Sequence, residues 1–137
     1  MTEYHPIIFP GKPVPYVRQT QRGKFIKERA QIYNDYRDKV ALIVRSKWKP
    51  VKKYALLTVK VYLRPAKSTG EIPKNAGDWD NFYKTFADAV QRAGVVENDS
   101  LILGPGPYSR NYLEIVQNED WAEIQLIPLD MPTSRAV

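Results

Sequence analysis

Hydrophobic and polar positions follow different periods along the 137-residue chain, and each period predicts an element. "PIIFPGKPVPYV", residues 6–17, begins as a short apolar run that Pro and Gly interrupt, which predicts a first strand leading into a Pro-stiffened loop. Between Lys24 and Trp48 the residues Ile26, Ala30, Tyr33, Val40, Ala41, Val44 and Trp48 recur at mostly helical spacing, with Arg and Lys between them. This predicts a long basic amphipathic helix ended by Pro50. "YALLTVKVYLR", residues 54–64, is rich in β-branched and aromatic residues and predicts a strand central to a sheet. Residues 65–77, "PAKSTGEIPKNAG", have little to bury and predict a loop. A second helix is predicted from Trp79 to Ala93, closed by Gly94. Beyond it, "VVENDSLILG" predicts a short extended segment and "GPGP" a turn. "YSRNYLEIV" and "WAEIQLIPL" predict two strands joined as a hairpin around "QNED". The order of elements predicts an α+β fold, a two-layer α/β sandwich in which a small mixed β-sheet carries two main helices. At this length residues 1–137 form one domain.

Composition narrows the chemistry. No apolar run approaches the roughly 18 to 20 residues of a membrane helix, and "MTEYHPIIFPGK" lacks the layout of a signal peptide, so a cytoplasmic protein is expected. The absence of cysteine excludes disulfides, thiolate zinc sites and a Cys nucleophile. The single histidine, His5, stands beside Pro6 and is expected to be solvated, which argues against a Ser-His-Asp triad. The net charge of +6 is unevenly placed. Residues 1–53 carry 13 Lys and Arg against 4 acids, whereas residues 54–137 carry 8 against 11. The basic half suits a phosphate backbone. The acids of the other half then need a purpose of their own.

Asp78, Asp80, Asp88 and Asp99 gather in "GDWDNFYKTFADAVQRAGVVENDS", residues 77–100. At roughly 100° per residue, Phe82, Tyr83, Phe86, Ala89, Val90 and Ala93 share one side of the second helix, and Asp80, Lys84, Asp88 and Gln91 share the other. An ordinary account exists: Asp78 caps the helix, Asp80 favours its dipole, and Lys84 pairs with Asp80 at i+4. A second account adds Asp99, which the link "GVVEN" returns toward the sheet, so that Asp78, Asp80 and Asp99 meet near one point. Three such carboxylates repel one another unless a cation sits among them. Oxygen donors without Cys or His suit Mg²⁺ or Mn²⁺, ions that supply the nucleophile and charge neutralisation that phosphodiester hydrolysis needs. Lys84, on the same face, adds positive charge toward the reacting phosphate.

"DWDNFYKTFADAV", followed by "ENDSLI" with Asp99 nineteen residues beyond Asp80, resembles the signature of the RusA family of Holliday junction resolvases. The loop "GKPVPYVRQTQRGKF" is similar to the family's Pro- and Arg-rich N-terminal segment. The resemblance implies a small, homodimeric, Mg²⁺-dependent endonuclease, often carried by phages and prophages, that acts on branched DNA in recombination and repair. It further implies that Asp78, Asp80 and Asp99 bind metal, that Lys84 assists catalysis, and that Asn81 and Asp88 support them. The chain departs from the family pattern at Asn98, where a second acid is common, at Ala76 and Gly77, where Pro or a basic residue usually precedes the first Asp, and at Trp79, where an aliphatic residue is usual.

A metal site of this kind must lie against phosphates, so flanking cations are expected to touch DNA. Arg18, Arg22 and Lys24 lie in the N-terminal loop, and Lys67 and Lys74 lie in the loop just before Asp78. A C2 homodimer would present two matched sites to opposed strands of a four-way junction. The expected function is metal-dependent, structure-selective DNA cleavage. The alternatives are a non-enzymatic DNA-binding accessory protein of a phage, whose acids are caps and ion-pair partners, and a nuclease for other branched DNA.

Overall fold

The computed structural model describes residues 4–17, 24–67, 69–71 and 78–129; of Asp99 and residues 24–27 the backbone alone is described. Strand β1 spans Ile7–Pro10, helix α1 Lys24–Lys47, strand β2 Ala55–Leu63 and helix α2 Trp79–Arg92. A 3₁₀ turn over Asp99–Leu101 leads into β3, Ile102–Pro105, and then β4, Leu113–Ile115, and β5, Trp121–Pro128. The fold is α+β, with a mixed sheet and two helices, as the hydrophobic periods predict. No helix among the described residues is long and apolar enough to cross a membrane.

The sheet runs β1-β5-β2-β3, and β4 continues along the same edge of β2 as a second parallel partner. β2 is central, antiparallel to β5 through eight residue pairs from Ala55↔Pro128 to Tyr62↔Trp121. The register aligns inward side chains in rows across three strands: Ile7, Ile124 and Val59 in one, Phe9, Ala122 and Val61 in the next. All six are buried. Against them pack Val40, Ala41 and Val44 of α1 and Phe82, Phe86, Ala89 and Val90 of α2, so the core lies between one helical layer and one sheet. Burial of each large apolar side chain in such a core stabilises the fold by about 1.5–3 kcal/mol relative to exposure.

Two predicted features take a different form. Gly104 and Pro105 of "GPGP" belong to β3, and the turn falls later, over residues 107–111, where Tyr108 and Asn111 both adopt φ 62°. The predicted strand 108–116 shrinks accordingly to Leu113–Ile115. The hairpin around "QNED" does not form, because β4 and β5 lie on opposite edges of β2. The reason is visible at Asp120. This buried residue accepts the backbone N–H of Arg64 through its carboxylate at 2.6 Å, while its carbonyl accepts Gly11 N–H at 3.0 Å. "QNED" thus passes over the end of β2 and carries the chain from one edge to the other. β5, with Ala122, Ile124 and Leu126 all inward, then fills the slot between β1 and β2.

Candidate active site

Helix α2 organises the site. Its apolar side is the one predicted, and two further residues join it: Trp79, whose indole N–H donates to Val59 O at 2.9 Å, and Thr85, whose hydroxyl donates to Val14 O at 2.8 Å. Trp79 is therefore a buried anchor that fixes the start of α2 over the middle of β2. The helix ends in a Schellman arrangement: Gly94 takes φ 80°, its N–H reaches Gln91 O at 2.9 Å, and Val95 N–H reaches Val90 O at 3.3 Å. Val95 O in turn accepts Val51 N–H, which ties this end of α2 to the approach to β2.

The polar stripe faces outward. Asp78 is the N-cap, with extended backbone at φ −81° and ψ 150°, and its carbonyl accepts Asn81 N–H at 3.0 Å. Its carboxylate makes no capping hydrogen bond. Asp80, in the first turn, is exposed, as are Asp78 and Lys84. Among the described residues no ion pair joins Lys84 to Asp80, although the i, i+4 spacing permits one. Lys84 instead places its Nζ over the ring of Tyr16, 5.6 Å from the centroid. Neither carboxylate of the Asp78 and Asp80 pair has a hydrogen-bond or ionic partner among the described residues, which leaves hard oxygen donors available to a cation such as Mg²⁺.

Asn81 and Asp88 have structural partners. Asn81 O accepts Tyr16 N–H at 2.9 Å and the Thr85 hydroxyl at 3.2 Å. Asp88 is half-buried and accepts the Tyr33 hydroxyl at 2.7 Å, joining α2 to α1. Burial, and then the Asp88 carboxylate, push the Tyr33 hydroxyl well above its ordinary pKa, while Arg37, over the Tyr33 ring at 5.4 Å, opposes them. Beside Asp88 an open hollow of about 370 Å³ is lined by Arg37, Gln91, Arg92 and Glu97. Its two arginines are held by Asp38, at 3.1 Å from Arg37 and 2.7 Å from Arg92.

Asp99 stands elsewhere along the path. Its backbone opens the 3₁₀ turn just before Ile102, which lies opposite Ala55 at the start of β2, whereas Asp78 precedes the residue anchored at Val59. Between them runs α2, about 20 Å long at 1.5 Å per residue. Among the described residues no three carboxylate or imidazole side chains are grouped to hold a metal ion. Of the expected DNA contacts, Lys67 is exposed next to the end of β2, Lys24 opens α1, and Arg18, Arg22 and Lys74 lie outside the described residues. His5 is exposed, and its carbonyl accepts the Trp48 indole N–H at 3.0 Å.

Sequence reasoning missed Tyr16 and the Thr85 anchor. The available signal was the Pro13 and Pro15 spacing, which stiffens a loop and so fixes what it carries, but which helix receives that loop is a tertiary fact.

A two-layer α/β domain with a basic N-terminal half and uncommitted acids at a helix start has the form expected of a protein that handles phosphodiesters. The comparison with protein families is specific: residues 9–112, from β1 to the approach to β4, match the family model Endodeoxyribonuclease RusA, and the chain belongs to that family. Membership implies endodeoxyribonuclease activity. No curated protein matches the chain.

Proposed function

We propose that this protein is a Mg²⁺-dependent endonuclease, with Mn²⁺ as a substitute, that resolves four-way DNA junctions as a homodimer in recombination and repair. The observation that carries the reading is the state of α2's first turns: Asp78 caps the helix with backbone alone, and Asp78, Asp80 and Lys84 remain exposed with no ionic partner among the described residues. Among the described residues neither acid is paired or caps through its side chain, so beyond the helix dipole that favours Asp80 stability makes no claim on them.

Asp78 and Asp80 would hold the ion, together with Asp99. When bound, the ion supplies an activated water and offsets charge on the phosphate. Lys84, one turn beyond Asp80, directs its ammonium toward the same phosphate and stabilises the negative charge that builds there. Asp88, already accepting from Tyr33, keeps the two helices in register and so fixes the direction of the stripe. The cationic segments around Arg18, Arg22, Lys24, Lys67 and Lys74 would hold the DNA backbone, giving affinity without base specificity.

The placement of Asp99 at the opposite end of α2 from Asp78 supports a dimer in which each site combines Asp78 and Asp80 of one copy with Asp99 of the other. Two such sites related by a two-fold axis match the two opposed strands of a junction. The reading is tested with a synthetic four-way junction beside linear duplex. Cleavage is expected with Mg²⁺, for the junction, and is lost in Asp80→Asn while folding and junction binding persist. A protein that binds the junction equally with and without Mg²⁺ and never cuts it would instead be an accessory DNA-binding module. Co-expressed Asp80→Asn and Asp99→Asn chains separate the dimer question. A shared site is restored once per mixed dimer and nicks the junction, whereas a site built within one chain stays inactive in every dimer.

A further inference from the structure

We propose that Tyr16 is a positioning residue for Lys84, holding its ammonium over an aromatic face so that it stays available to the scissile phosphate. The inference rests on the catalytic reading of Lys84 given above. Tyr16 belongs to the stretch after β1, stiffened by Pro13 and Pro15, and is fixed to α2 at two points: its own N–H donates to Asn81 O at 2.9 Å, and Val14 O accepts the Thr85 hydroxyl at 2.8 Å. Its ring meets Tyr33 edge to face, with centroids 5.3 Å apart and planes at 83°. Tyr33 is fully buried and held by Asp88. The ring beneath Lys84 is thus supported by a chain of contacts that reaches the core, while Lys84 itself is exposed.

The chemistry favours this partner. A lysine side chain left free samples many rotamers, and ordering it at the moment of reaction opposes the step it assists. A carboxylate partner such as Asp80 would order it too, but would compete with the phosphate for the same charge. An aromatic face restricts the ammonium through its quadrupole and leaves the full positive charge in place. Lys84 avoids the pairing that helix spacing permits and takes the ring instead.

The test measures single-turnover cleavage of a four-way junction by the homodimer at saturating enzyme with Mg²⁺, for wild type, Tyr16→Phe, Tyr16→Leu, Lys84→Ala and the Tyr16→Leu/Lys84→Ala pair. Tyr16→Phe keeps the ring and is expected to cut at the wild-type rate. Tyr16→Leu is expected to cut about two- to fivefold more slowly, the factor that an exposed cation–π contact corresponds to. Junction affinity should be unchanged. In the Lys84→Ala background, Tyr16→Leu should have no further effect. An equal loss in both backgrounds would make Tyr16 a structural residue of the loop and overturn the proposal. So would a Tyr16→Leu protein as fast as wild type when Lys84→Ala is slow. Should Lys84→Ala itself cut normally, the catalytic role of Lys84 fails first and this inference with it, while loss of cleavage in Asp80→Asn would still stand for the nuclease. A readout independent of cleavage is the proton NMR shift of the Lys84 ε-methylene in the metal-free, DNA-free protein. Upfield displacement by the Tyr16 ring, kept in Tyr16→Phe, is expected, and a Lys84 signal coincident with those of solvated lysines in the wild type overturns the proposal even if Tyr16→Leu does not fold.

Discussion

An aspartate at a helix N-cap ordinarily accepts one of the first free amides, and replacing it by alanine then costs about 1 kcal/mol. Asp78 occupies that position without making that bond. Asp78→Ala is therefore expected to lower stability by less than about 0.5 kcal/mol in urea unfolding, below the usual capping loss, yet to abolish cleavage. A loss of full capping size with cleavage intact would return Asp78 to a structural role. Lys84→Ala should lower stability by no more than about 0.5–1 kcal/mol, the Tyr16 ring contact, since among the described residues no ion pair of the helix depends on it, and slow single-turnover cleavage more than it weakens binding. At this scale the sequence made the Asp80, Lys84, Asp88 stripe legible, because helical spacing alone sets it. It could not tell that Asp88 would be taken up by Tyr33, 55 residues away, or that Lys84 would meet Tyr16. Both partners come from elements brought alongside α2 by the core, and no local period encodes them.

Among elements, the α1 and α2 pair bears most directly on the site, and the bond from Tyr33 to Asp88 is one of its polar links, beside the Arg92–Asp38 ion pair. Tyr33→Phe removes a buried donor to a carboxylate, and it is expected to destabilise the fold by about 1–2 kcal/mol as read by chemical denaturation. Its effect on cleavage should be smaller than that of Asp80→Asn, because the metal-facing acids remain on α2. The helices were legible because each carries a long apolar period, α1 over 24 residues and α2 over 14, and the central strand because its 9 residues are rich in β-branched and aromatic side chains. After α2 the strand "WAEIQLIPL" was legible as β5, but β3, β4 and the pairing of these strands were not, for two physical reasons. Strands β3 and β4 are short, 4 and 3 residues, too few to show a period. The apparent hairpin partners are neighbours in sequence, but the alternation Ala122, Ile124, Leu126 matches β2 and β1 on both of its edges, and burial on that scale outweighs the ease of a local turn.

For the whole molecule the governing feature is the division of charge, +9 over residues 1–53 and −3 over residues 54–137, from 13 cations against 4 acids and 8 against 11. Replacing Lys67 and Lys74 together with Ala is expected to weaken junction binding and to flatten the log–log salt dependence by up to about two units, at roughly 0.9 per phosphate contact. Melting should be little affected, since Lys67 is exposed. A salt slope equal to that of wild type would move the contact to the Arg18 and Arg22 segment. The place of β5 has a further consequence, for synthesis. β1 is made before the other described strands of the sheet, yet its hydrogen-bonding partner is β5, which spans Trp121–Pro128 and is the last of them to be made. Until then β1 has no partner strand among the described residues, and the edge of β2 that pairs with β5 stands open. The sheet therefore closes only once Pro128 has been made, by insertion of its last strand into a waiting slot. A nascent chain stalled before Trp121 would expose two unsatisfied strand edges, the kind of surface that holdase chaperones bind and that seeds aggregation.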